Sequence, residues 1–149
     1  MYRAISIATY ILKRYASKEK RITNSKMQKV LYFVQAEFLS VTGETCFKDR
    51  ILAWDFGPVV PLVYSVFKVF AGISIPPNYI KVLEPCCQPI MEEHKSILNR
   101  IIDATMPYAD LYLTAIIHNQ SPWKYAFIPG LSAEIKPKAL LEFFKEETP

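Results

Sequence analysis

With 149 residues, 51% of them hydrophobic, the chain can bury one substantial core and is expected to form a single domain over residues 1–149. Its 18 Lys+Arg against 14 Asp+Glu give a net charge of +4, an excess that favours acidic partners without demanding nucleic acid. No stretch approaches the run of about 18 apolar residues that a membrane span needs, and polar breaks in MYRAISIATYILKRY argue against a signal peptide, so a cytoplasmic protein without a membrane partner is expected.

In chain order, the spacing of Ile5, Ala8, Leu12 and Tyr15 predicts a first helix over residues 3–16. The basic cluster Lys13, Arg14, Lys18, Lys20 and Arg21 lacks interleaved aromatics and reads first as a solvated helix end and loop, with a weak nucleic-acid-binding protein using this cluster as a lesser alternative. Thr23 is placed to cap a second helix, with Ile22 and Met27 as the flanking hydrophobic staple and Gly43 as its left-handed stop. Met27, Val30, Leu31, Val34, Phe38 and Val41 make one apolar face, and Gln28, Tyr32, Gln35 and Leu39 flank it. Lys26, Lys29, Phe33 and Glu37 form the remaining stripe. A helix with so little polar surface is expected at the centre of the fold.

Ile51, Ala53 and Trp54 predict a short strand ending at the Gly57-Pro58 turn, and Pro61 begins a third helix that stops at Gly72. The stretch from Ile73 to Glu84, broken by Pro76-Pro77, predicts a loop and another short strand. A fourth helix is expected from Pro89 to about Met106 and a fifth from about Tyr108 to His118. Ser121 is the expected cap of a short helix with Pro122 at its first position and Trp123 following; a loop or strand then leads to a last helix over 137–145. The expected architecture is mainly α, one globular helical domain with a small short-stranded β element.

Little in the chain is arranged for covalent chemistry. His94 falls on the apolar face of the fourth helix and reads as a hydrogen-bonded core residue, while His118 at a helix C-terminus suits a capping role. Cys86 and Cys87 are adjacent, without the gap a tetrahedral zinc site uses, and Cys46 has no base near it in sequence. Glu92 and Glu93 point about 100° apart on a helix, which does not suit shared acid–base work. No catalytic residue, metal or cofactor is therefore assigned; a small thiol- or metal-dependent enzyme using Cys46, Cys86, Cys87 or His94 is the competing reading.

The segments TNSKMQKVLYFVQ, AWDFGPVVPLVYSVF and HNQSPW together resemble the SocA-like, phage-associated family known as the Panacea antitoxin domain. The most specific elements are Lys-x-Gln-Lys-x-Leu-Tyr at Lys26 to Tyr32 and Trp-x-x-Gly-Pro-Val at Trp54 to Val59. The resemblance implies a non-enzymatic antitoxin, encoded beside a cognate toxin that it binds directly, either masking it or handing it to a protease, with homo-oligomerisation left open. Within that reading Lys26, Lys29, Phe33, Trp54 and Tyr64 are the expected contact residues. Thr23, Gln28, Gln35, Gly57, Pro58, His118, Ser121, Pro122 and Trp123 are the expected structural motif. Charge reversal at Lys26 plus Lys29 is expected to weaken binding at a nearly unchanged melting temperature.

Overall fold

A computed structural model describes residues 1–147. The described residues form α1 (Ala4–Ser17), α2 (Asn24–Thr42), β1 (Ile51–Trp54), β2 (Gly57–Val59), α3 (Pro61–Phe67), α4 (Ile80–Leu83), α5 (Glu92–Thr105), α6 (Asp110–His118), α7 (Ser121–Ala126), β3 (Ala133–Ile135) and α8 (Pro137–Glu147). The fold is mainly helical with one small antiparallel sheet.

Helix α2 is its axis. The Thr23 hydroxyl accepts from the Lys26 N–H, and Gly43 ends the helix at φ 80°, a conformation that glycine adopts without steric cost. Every residue from Met27 to Ala36 is buried, polar ones included, because α1, α5, α6, α8 and β2 all pack against this helix. Each of its fully buried Leu, Val and Met side chains contributes about 1.5–3 kcal/mol through removal of apolar surface from water. Val41, assigned to the apolar face by periodicity, lies in the last turn beyond the covering helices and is half exposed.

The sheet has the order β2-β1-β3, with Leu52 opposite Val59, Ala53 opposite Pro58 and Ile51 opposite Ile135. Pro58 lies on an edge strand, where its missing N–H leaves no gap in a ladder. The hairpin lies against α2, and β3 brings the C-terminal part of the chain back to it.

Five expectations differ. Gly57 and Pro58, expected as a turn, open β2, and the turn falls on Asp55 and Phe56. The strand expected between Ile73 and Glu84 does not form: Ser74 makes a single bridge to Thr23, and the chain then enters a 3₁₀ turn and α4. Pro76 and Pro77 carry no N–H for a ladder, while Tyr79, Ile80 and Leu83 have helical spacing and pack on the core. Helix α3 ends at Phe67 and continues as a 3₁₀ turn to Phe70, so the helix stops short of Gly72. Helix α5 starts at Glu92 instead of Pro89, since the Met91 N–H is held by the Tyr2 hydroxyl and Gln88 is tied to the start of α1. Ser121 is the first residue of α7, not its cap; Gln120 precedes the helix in extended conformation.

Candidate functional site

The α2 side chains that face the hairpin and α3 build the site. Asn24 Nδ2 donates to the Tyr64 carbonyl (3.1 Å), Gln28 Nε2 donates to Asn24 Oδ1 (2.9 Å), and Gln28 Oε1 accepts from the Val60 N–H (2.9 Å). This buried chain of amides fixes the entry into α3. Two turns on, Gln35 Oε1 accepts from the Cys46 and Phe47 N–H groups while its Nε2 donates to the Phe47 carbonyl, which closes the backbone that leaves α2.

Lys29 is 3% exposed, and its ammonium donates to Asp110 Oδ1 (2.6 Å) and to Ser25 Oγ (2.9 Å). Its methylenes lie under Gly57: a β-carbon there would stand 3.3 Å from Lys29 Cε, and the φ of 123° is one that only glycine adopts readily. The start of β2 is thus shaped by contact with the lysine below it. Phe33 is also buried, its ring edge-on to Tyr32 and Phe144. Lys29 and Phe33, both among the expected contact residues, are buried, and of the two readings open for Phe33, contact with a partner or cover by the same chain, the structure shows the second. A carboxylate at position 29 would face Asp110 inside the fold, so reversal at Lys26 plus Lys29 is now expected to lower the melting temperature, contrary to the expectation from sequence.

Lys26 is half-buried and donates to the Met106 carbonyl at the end of α5 (2.7 Å), with its ammonium 5.5 Å from the centre of the Tyr15 ring. Burial holds its pKa below the usual lysine value, opposed by the charge of Asp110. Trp54 meets Tyr64 edge-on with ring centres 5.3 Å apart, and its carbonyl accepts from Trp123 Nε1 (2.9 Å). Trp123 stacks on His118 and Phe127, and Pro122 beside it is buried. Tyr32 donates to Gln120 Oε1 (2.7 Å), so α2, the hairpin and the α6–α7 corner are joined by polar contacts.

Between the start of α2, the hairpin and α3 lies a cavity of about 280 Å³. Its floor is Asn24, Gln28 and Lys29, and Phe56, Pro58, Val59 and Tyr64 wall it. Phe56, at the hairpin tip, is 61% exposed. Sequence reasoning missed Asn24, Phe56, Lys68 and Asp110. The four-residue spacing of Asn24 and Gln28 was a usable signal for their pairing, whereas nothing local marks Asp110 as the partner of Lys29.

The thiols and imidazoles are placed apart. Burial pushes the Cys46 thiol up to about 12, which keeps it protonated and poorly nucleophilic at neutral pH. Cys86 is exposed, and Cys87 Sγ is 3.2 Å from both Thr9 Oγ1 and the Leu83 carbonyl. The Tyr2 hydroxyl accepts from the Met91 N–H and shares a hydrogen bond with His94 Nδ1 (2.7 Å). Among the described residues no three His, Cys, Asp or Glu side chains gather as a metal would require, and no helix is long and apolar enough to cross a membrane. In the basic cluster Arg14 pairs with Asp103 and Lys13 with Glu84.

A family model described as "Antitoxin SocA-like, Panacea domain" matches residues 27–124, from the first buried turn of α2 through the hairpin and α3 to α7. Antitoxin SocA of Caulobacter vibrioides (strain NA1000 / CB15N) is 38% identical over 64 residues, which cover 43% of this chain and 34% of that protein. The match therefore spans about a third of that relative's length. No solved structure matches the chain.

Proposed function

Because the chain belongs to the SocA-like Panacea antitoxin family, we propose that it is an antitoxin that neutralises a cognate toxin by direct protein–protein contact. The observation that carries this reading is the pairing of a well-packed scaffold with large apolar side chains left open beside the cavity: Phe56 at 61% exposure, and Leu62 and Val69 above 70% on the helix and turn that wall it. Apolar groups held open by a well-packed frame are what a protein interface needs, since they add contact area without an ordering cost on binding. No chemistry is assigned to the site. A thiol enzyme gains no support from a deeply buried, protonated Cys46, and a metal enzyme gains none from dispersed ligands.

The test is co-expression with the protein encoded beside this chain. The account expects growth to be restored and the two proteins to co-purify; unrelieved toxicity without co-purification would reject it. The toxin level in rescued cells separates the two routes: masking leaves it unchanged, and delivery to a protease lowers it.

A further inference from the structure

The cavity beside the hairpin has a chemistry more particular than an apolar dimple. Ligand pockets usually span about 300–1,000 Å³, so a volume of about 280 Å³ fits one large side chain better than a cofactor. The walls are apolar, and the polar lining still has donors to offer. Each of the Asn24 and Gln28 amide nitrogens has a second N–H beyond the bond it makes. Ser25 Oγ accepts from Lys29 and keeps its own proton to donate. Lys68, exposed at the edge of the cavity, joins no ion pair among the described residues. Asp110 is engaged by Lys29, and neither it nor the turn residue Asp55 lines the cavity.

Resting on the antitoxin reading, we propose that this cavity receives a large apolar side chain from an acidic segment of the toxin, with a neighbouring carboxylate paired to Lys68. Phe56 covers the inserted side chain at the hairpin tip, and Ser25 and the two amides offer donors to the backbone carbonyls or carboxylate that accompany it. Buried anchors of this kind dominate interface energetics, and a charge at the rim governs which partner is accepted.

The test uses the full chain and the co-encoded toxin, with affinity measured by calorimetry. Lys68→Glu and Phe56→Ala alter exposed side chains, and unfolding midpoints equal to that of the parent verify the fold. Each is expected to weaken binding tenfold or more, while Lys81→Glu, an exposed reversal on α4 outside the cavity, stays within twofold. An acidic-to-lysine scan of the toxin is expected to yield one change that restores binding to Lys68→Glu. Parent-like affinity of both cavity variants, or a scan in which no change restores binding, overturns the proposal while the antitoxin reading stands. Self-association of the parent that Phe56→Ala abolishes also overturns it, by assigning the cavity to a second copy. Failure of the unaltered chain to bind or neutralise the toxin overturns both readings, and is seen before any variant is made.

Discussion

Lys29 shows how one residue can combine the roles of core, turn support and ion-pair partner. Its methylenes support Gly57, and its ammonium is neutralised by Asp110, which is one-third exposed. The two ends of the pair are therefore unequal. Asp110→Ala strands a charge in the interior and is expected to cost about 3–5 kcal/mol, whereas Lys29→Met leaves a carboxylate that water can reach and is expected to cost clearly less. Urea unfolding of the two variants measures the difference; equal losses would mean that the ion pair is not what holds Lys29. At the turn, Gly57→Ala forces a β-carbon into a φ of 123° and against Lys29 Cε, for an expected loss of about 1–3 kcal/mol in thermal unfolding. These contacts could not be read from sequence. Periodicity puts Lys29 in the stripe opposite the apolar face, but only the tertiary fold reveals that α6, whose Asp110 is 81 residues away, closes over that stripe.

At the scale of elements, α2 was legible because its signals agree: a capping threonine, a hydrophobic staple, a long apolar face and a stop glycine. The last helix followed from equally local cues, whereas only the first strand of the hairpin did: Gly57 and Pro58, expected as a turn, belong to β2. The segment between α3 and α5 was not legible, because its alternating isoleucines suggest a strand while two prolines and the demands of packing make it a turn and a short helix. Packing of α5 on α1 includes the Arg14–Asp103 pair, a two-pronged contact at 2.6 and 2.9 Å. The hydrogen bonds from Arg14 hold the Asp103 carboxyl below its ordinary range. A depressed carboxylate contributes stability that is present above its unfolded-state pKa and is lost as pH falls through the folded value. Asp103→Asn is accordingly expected to lower stability near neutrality by about 0.5 kcal/mol, and to lessen the further loss below about pH 4, since the pair is partly exposed. Chemical denaturation at pH 7 and pH 3 reads both effects. The α2 exit depends in a comparable way on Gln35: Gln35→Leu removes the partners of three buried backbone groups, with an expected cost on the order of 3 kcal/mol or more in the same assay.

For the molecule as a whole, polar groups in the interior tie the elements together, while large apolar side chains are left outside on several elements, among them Phe56, Leu62 and Val69 on the cavity side and Leu111 and Tyr125 on α6 and α7. The family resemblance was legible in two short motifs, and the structure brings their residues together. Lys29, Gln28, Gly57 and the Trp54 carbonyl belong to one packed junction, not to separate signatures. Which parts of that junction face outward was hidden from the sequence, because exposure depends on helices contributed by the second half of the chain.

The central claim, neutralisation by direct contact through the cavity side of the molecule, is tested most directly by hydrogen exchange on the purified chain with and without the co-encoded toxin. The account predicts a stable complex in which amide protection increases in the hairpin and α3, from Phe56 to Ala71, and is unchanged in α4. No complex, or protection confined to surfaces away from the hairpin and α3, would contradict it.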